Sequence, residues 1–577
     1  MDNGNFTLVR MAQYIINEFS RFLKGRFVLL HKKYLNHLFC ILFVTNRSNP
    51  LRRNQRWELK LNMKNASTVF YVSLAIMAGL VLMGITMPAS LEKVTSSTQG
   101  VITDSFGWYY LVIVSLFVFV CFYLLVSPVG RIKLGKQEDK PEFSRPTWLA
   151  MLFSAGIGIG LIFYGTFEPI SHYMISSPTG QEGTDQGIKD AMRFTFFHYG
   201  VHAWAIYGSI AMALAYFTFR KGELSLISRT LRPLIGKHAD GAVGKAIDVI
   251  AVIATVLGVS TSLGFGAMQI NGGLSYLFDV PSTITNQTII ILIVTVLFMI
   301  SALTGLSKGI KVLSNLNMGL AAVLFLIVFS FGPTLFILNL FTDTIGTYMQ
   351  NFIDMSFRIA PLNEEGRSWI NGWTIFYWAW WIAWSPFVGV FIARVSKGRT
   401  IREFVVGVLL VPSLIGFLWF TTFGGTAIFT ESTGLLSISS LSPEESLFGV
   451  LEGFPLSMAI SLLAILIIVT FFVTSADSGT FVLGMMTTNG SQNPSTPIKV
   501  TWGVLLSIIA IALLYSGGLQ ALQNTMIIAA LPFSVILVLM TVSLLKSLKQ
   551  EAKQLGLGQI RMNRKEKQSK EDVQEAG

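Results

Sequence analysis

Twelve apolar runs, each long enough to cross a bilayer, fill most of this chain: 68–88, 106–128, 147–167, 194–218, 246–272, 286–305, 313–341, 371–393, 402–427, 455–484, 498–516 and 520–545. A hydrocarbon core takes roughly 20 apolar residues to span as a helix. Inside it each segment must satisfy its own backbone hydrogen bonds, so every run is predicted to be helical. The expected fold is an all-α polytopic membrane protein with twelve transmembrane helices. Charged residues make up 13% of the chain, against about 25% for soluble domains, which agrees with lipid as the solvent.

The loops between the runs alternate in basic charge. Residues 131–146, 219–245, 305–312 and 394–402 carry five, six, two and four Lys/Arg. The opposite set, 89–105, 168–193, 274–285, 342–370 and 428–454, carries one, two, none, two and none. Basic loops stay in the cytoplasm, so both termini are expected there, with the protein in the plasma membrane. The same rule accounts for the net charge of +12 without nucleic acid as a partner.

The organisation read from this pattern has six parts. Residues 1–66 form an N-terminal cytoplasmic segment. Its apolar stretch is interrupted by Lys24, Arg26, His31, Lys32 and Lys33. Met63 is a candidate true start. Residues 67–130 hold helices 1 and 2, 147–341 hold helices 3–7, and 342–370 form an outside amphipathic segment lying on the surface. Residues 371–545 hold helices 8–12, and 546–577 form a cytoplasmic tail. The cysteines, Cys40 and Cys121, have no disulfide or metal spacing.

Three segments carry chemistry. In the third run, Gly156, Gly158 and Gly160 alternate with Ile157 and Ile159. Glycine disfavours helix by about 1 kcal/mol. Such a stretch serves either close helix packing or an unwound site where bare amides and carbonyls meet a solute or ion. In the eighth run, Tyr377, Trp380, Trp381 and Trp384 fall at i, i+3, i+4 and i+7 and so share one helix face. An interfacial aromatic belt is the ordinary explanation, but Trp381 and Trp384 lie mid-span. A methylated ammonium donates no hydrogen bonds and is held by ring quadrupoles, which is what stacked indoles offer. Tyr199, Trp204 and Tyr207, all on the fourth run, can close the other side. In the tenth run, Thr474, Ser475 and Ser478 flank Asp477. They suit interhelical hydrogen bonds or the hard oxygen shell of sodium.

The remaining polar residues point less sharply. Asp477 is expected to play a structural role. Glu168, before Pro169, is expected to end the third span as a mouth or capping residue. His198 and His202 sit one turn apart, but no carboxylate or third histidine is expected to accompany them, so metal binding is not expected. No nucleophile–base–orienter set is present, no cofactor is implied, and an enzyme is not expected.

With these residues in view, the chain resembles the betaine/choline/carnitine transporter family over residues 66–545. The strongest motif is the tryptophan-rich stretch 378–386, which runs into Phe391-Ile392-Ala393-Arg394 and then Gly398-Arg399-Thr400-Ile401-Arg402-Glu403-Phe404. The glycine stretch with Phe163-Tyr164-Gly165 and Glu168-Pro169, and the segment 474–478, match too. The resemblance implies a LeuT-like core of two inverted five-helix repeats, helices 3–7 and 8–12. It implies secondary active, sodium-coupled uptake of a quaternary-ammonium compatible solute, glycine betaine first, by alternating access in osmoprotection. It also implies a homotrimer; separately, Lys546, Lys549 and Lys553 directly after the last run make anionic lipid a candidate partner.

In the family pattern, Trp380, Trp381 and Trp384 line the solute path, with Trp384 nearest the ammonium, and Tyr199, Trp204 and Tyr207 form the facing box. Gly156, Gly158 and Gly160 complete the solute set. The pattern puts sodium on backbone oxygens of Ser154, Ile157 and Phe471 and the hydroxyls of Thr474 and Ser475. A second, weaker site uses Thr255 and Phe387. Two positions depart from it: Tyr199 stands where betaine carriers have Trp, and Val259 where a Thr is expected; Gly160, where choline and carnitine carriers have Asp, follows the betaine type. The alternatives left open are a proton-coupled choline carrier and a carrier of ectoine or another betaine-like solute.

Overall fold

The computed structural model describes residues 66–557, apart from 157 and 305–306, and describes the backbone alone at 154–156, 303–304 and 307–312. The N-terminal segment to residue 65, with Met63, and the tail from residue 558 lie outside the described residues, as does Ile157. Every named element is helical: α1 (Thr68–Thr86), α2 (Pro88–Val126), α3 (Arg145–Gly156), α4 (Ile159–Ile170), α5 (Asp185–Tyr199), α6 (Val201–Ala215), α7 (Ala242–Phe278), α8 (Ile284–Thr304), α9 (Ser307–Phe331), α10 (Thr334–Gln350), α11 (Phe376–Val395), α12 (Ile401–Ser432), α13 (Ser457–Met486) and α14 (Thr496–Gln554), with shorter turns between.

Ten stretches among the described residues are helices long and apolar enough to cross a membrane. Two expected spans are not separate among these ten. The third is broken into α3 and α4, with Gly158 extended between them (φ −139°, ψ −166°). The last two share α14, whose helical path is interrupted at Gly517 and Gly518. Gly518 has φ +58°, a left-handed conformation that a side chain resists.

Burial sorts the helices into a core and a lipid-facing shell. The stretch Asp185–Arg220 is 94% buried and Glu364–Val395 is 89% buried, whereas Ile284–Ala302 and Leu313–Phe331 are each 22% buried. An apolar helix buried all round belongs to the centre of a bundle. The aromatic helices α5, α6 and α11 are therefore the core, and α11 packs against α6, α7 and α14.

Three boundaries differ from the sequence reading. The helix expected from 194 begins at Asp185, where Thr184 accepts the Gly187 amide as an N-cap. It also bends at Gly200, which separates α5 from α6. A Cβ at Gly200 would come within 2.8 Å of the Phe417 ring, so only glycine lets α12 approach here. The helix expected to run to 341 stops at Phe331. Pro333 has no amide hydrogen, and its ring would collide with the carbonyl four residues back. Chain 334–350 then forms the separate helix α10, which buries Ile337, Leu340, Thr344 and Tyr348 as one stripe; it packs on α5 and α12.

The motif 398–404 acts as a clamp between loops. Gly398 (φ +83°) has Lys140 backbone 2.7 Å from where a Cβ would sit. Arg402 donates to the carbonyls of Leu125 and Ser127 at 2.7 and 3.0 Å, filling acceptors left open at the C-terminal end of α2. Arg399 lies over the Trp148 ring at 4.7 Å and donates to Glu403 at 2.6 Å.

Candidate functional site: an aromatic cavity between broken helices

The glycines of the broken third helix admit two tryptophans from α11. Gly160 leaves no room for a Cβ, which would overlap the Trp380 ring, and a Cβ at Gly158 would touch Trp384 at 3.5 Å. On α11 the rings of Tyr377, Trp380 and Trp381 form a parallel ladder. Trp380 and Trp381 have centroids 5.5 Å apart at 3°, and Tyr377 stands 6.1 and 6.3 Å from them at 19° and 20°. Phe265 of α7 closes edge-on against Trp380 at 5.2 Å. Trp384, one turn on, leaves this ladder. Its indole N–H donates to the Gly258 carbonyl at 2.8 Å, and its ring meets Phe387 edge-on at 5.5 Å.

Tyr199, Trp204, Tyr207 and Trp381 come together around one cavity, closed on its far side by Pro412 and Gly416 of α12. Trp381 meets Tyr199 and Tyr207 edge-on at 5.3 and 5.7 Å, and Trp204 meets Tyr207 at 5.7 Å. The bend at Gly200 stands between Tyr199 and Trp204, so the box spans two helices rather than one face. Its volume is about 20 Å³, space on the scale of one water. The lining contains no charged side chain, and the Tyr207 hydroxyl at its edge is buried without a hydrogen-bond partner. Aromatic rings around an uncharged space can attract a cation that needs no hydrogen bonds.

The oxygen-rich segment lies on α13. Thr474 Oγ1 approaches the carbonyls of Thr470 and Phe471 at 3.0 and 3.1 Å and accepts the Asn317 side-chain amide at 3.1 Å. Asn317, on α9, is buried, and its Oδ1 is unpartnered. Thr474 and Ser475 are half-buried. Ser154, a sodium candidate, and Gly156, of the solute set, are described only as helical backbone. Hydroxyl, carbonyl and amide oxygens of this kind are hard ligands that suit a monovalent cation. Thr255 donates to the Ala251 carbonyl at 2.8 Å. Its hydroxyl also meets Met486 Sδ of α13 at 3.9 Å, while Phe387 on α11 lies edge-on to Trp384. Asp477 accepts from Ser301 of α8 at 2.6 Å, an interhelical bond.

Two expectations are corrected. Glu168 is not at a mouth: it is fully buried. The expectation that no carboxylate or third histidine accompanies the two histidines also fails, although His202 itself turns to Ser356 at 2.9 Å. His198 instead joins a carboxylate and a third histidine that its own helix does not supply. Its Nδ1 donates to Glu168 at 2.7 Å, and His172 Nε2 lies 3.3 Å from the same oxygen. These three are the group among the described residues whose ligand atoms lie close enough together to hold a metal. The carboxylate is already satisfied by hydrogen-bond donors, among them the Tyr377 hydroxyl on its other oxygen. Asn317 was also missed. A single amide 157 residues from Thr474 in sequence carries no local signal.

A sequence profile of the betaine/carnitine/choline family transporters matches residues 68–553. The chain is 58% identical over 493 residues to the glycine betaine transporter OpuD of Bacillus subtilis, covering 85% of this chain and 96% of that one. It is 45% identical over 489 residues to an ectoine/hydroxyectoine transporter of Virgibacillus pantothenticus, covering 84% and 97%. A glycine betaine transporter of Acinetobacter baylyi is 42% identical, covering 83% and 73%. With the profile and these relatives spanning its whole helical bundle, this membrane protein belongs to the betaine/carnitine/choline transporter family, a family of transporters and not of enzymes.

Proposed function

We propose that this chain takes up glycine betaine, driven by sodium, by alternating access of a LeuT-like core in a plasma membrane with both termini cytoplasmic. The observation that carries the reading is the uncharged box of Tyr199, Trp204, Tyr207 and Trp381 between two interrupted helices. The 58% identity to a glycine betaine transporter supports the choice of solute. A trimethylammonium group has no N–H to offer, so indole and phenol faces hold it by cation–π attraction, about 0.5–2 kcal/mol per ring. In this reading alternating access exposes the box to each side of the membrane in turn. In this reading Thr474, Ser475 and the carbonyl of Phe471 hold the coupling ion. Gly160 in place of Asp leaves no carboxylate to repel that of a betaine.

A carrier of ectoine is the second reading. It is favoured by the 45% identical ectoine/hydroxyectoine transporter. Uptake of labelled glycine betaine by proteoliposomes, with ectoine and choline as competitors and sodium or potassium outside, separates the readings. Saturable, sodium-dependent betaine uptake resisted by excess choline and ectoine is expected. Ectoine uptake at lower KM, or equal rates in potassium, would replace it.

A further inference from the structure

Glu168 is a carboxylate held deep in the bundle without a Lys or Arg partner among the described residues; its ion-pairing neighbours are His172 and His198. A carboxylate at such depth is unfavourable unless several donors meet it, and it marks function more often than packing. Here the donors come from three elements. His172 stands one turn on along the same chain, His198 on α5 supplies its Nδ1 at 2.7 Å, and the Tyr377 hydroxyl on α11 donates to Oε2.

Two of these donors lead to the cavity. The Tyr199 hydroxyl donates to that of Tyr377 at 3.2 Å. The His198 carbonyl accepts the indole N–H of Trp381 at 2.9 Å, while its Nε2 is held by Thr374 at 3.0 Å. Tyr199 and Trp381, two of the four rings of the box, are each two hydrogen bonds from the same carboxylate. The Tyr377 ring also forms one end of the ladder on which Trp381 stacks.

We propose that Glu168 is a positioning residue of the solute cavity. Its carboxylate aims Tyr377, and through that phenol fixes the ring of Tyr199 by a hydrogen bond and that of Trp381 by stacking before the solute arrives. This rests on the reading of the box as the ammonium site. Only an acceptor on both oxygens serves all the donors. Glutamine presents an NH₂ to one of them, so either the phenol or an imidazole N–H loses its acceptor and faces another donor. Rings already in place spare the solute the cost of ordering them, so loss of the carboxylate acts on affinity.

The test uses the full-length carrier in proteoliposomes, with KM and Vmax for glycine betaine measured for Glu168→Gln, Tyr377→Phe, the double variant and Trp381→Leu. Glu168→Gln and Tyr377→Phe are each expected to raise KM about tenfold, the loss of one well-made hydrogen bond, with Vmax per inserted carrier within about twofold. The double variant is expected to be no worse than the poorer single one, because both break the same chain of contacts. An unchanged KM in Tyr377→Phe, or a double variant whose KM is the product of the two effects, overturns the proposal. Should Glu168→Gln fail to reach the membrane, Tyr377→Phe decides alone. If Trp381→Leu also leaves KM unchanged, the box itself is not the ammonium site and both readings fall. If Trp381→Leu raises KM and Tyr377→Phe does not, the positioning role alone falls.

Discussion

The indole N–H of Trp384 donates to the backbone carbonyl of Gly258 at 2.8 Å, and a Cβ at Gly258 would come within 2.9 Å of the same ring. The pair locks α11 to α7 one turn away from the tryptophan ladder, beside Gly158 of the broken third helix. Trp384→Leu is therefore expected to abolish uptake with membrane expression intact, and Gly258→Val to lower uptake at least tenfold by displacing the ring. Labelled betaine uptake at matched expression checks both. Wild-type rates in Gly258→Val would show that the contact is dispensable.

Gly160 admits the edge of Trp380, and any side chain there overlaps that ring. The family pattern suggested that Gly160→Asp would shift preference from betaine towards choline. The packing predicts a broader effect. Gly160→Ala already impairs transport of both solutes, by displacing a stacked indole, and Asp adds charge to that injury. Normal betaine uptake in Gly160→Ala, with loss only in Gly160→Asp, would restore the electrostatic account.

Thr474→Ala and Ser475→Ala are expected to raise the sodium concentration for half-maximal uptake about tenfold, since alanine offers no ligand oxygen. Asn317→Ala is expected to raise it less. Its amide donates to Thr474 at 3.1 Å while its Oδ1 stands free beside the site. Sodium titrations of initial rate measure this. Identical curves for all three variants would remove α13 from ion coupling.

At the cytoplasmic end proposed for α14, Glu551 is buried against Arg220, Lys221 and the hydroxyl of Tyr216. Breaking a buried ion pair from one side costs about 3–5 kcal/mol. Glu551→Ala and truncation from residue 547 should therefore both lower the Tm of the purified carrier, whereas truncation after Leu557 should not. Because of this latch, an osmotic activation curve measured on the shorter truncation tests the tail, and one measured on the longer also tests the fold. Equal Tm values for both truncations would show that the latch contributes little.

Helix positions were legible where lipid physics dictates them. A run of about 20 apolar residues has few alternatives in hydrocarbon, and Gly517-Gly518 sits where the last two runs were parted. What escaped was long-range. Phe417 reaching Gly200, which bends the fourth helix, has no trace near residue 200. Glu168 and His198 are thirty residues apart, so a carboxylate read as a helix end proved to be the centre of a buried network. The apolar run through 334–341 hid the stop at Pro333, because a surface stripe and a spanning helix look alike over eight residues. On the tryptophan helix, spacing alone put Trp380, Trp381 and Trp384 on one face. It could not tell that Trp381 borders the cavity while Trp384 turns to Gly258.

The central claim is that the box of Tyr199, Trp204, Tyr207 and Trp381 holds a methylated ammonium. Glycine betaine binding to purified wild-type and Trp381→Leu carrier in sodium, followed by isothermal titration calorimetry, tests it most directly. Saturable wild-type binding that weakens at least tenfold in Trp381→Leu, with the variant still folded by its Tm, is the predicted result. Equal affinity in the two proteins would contradict the account.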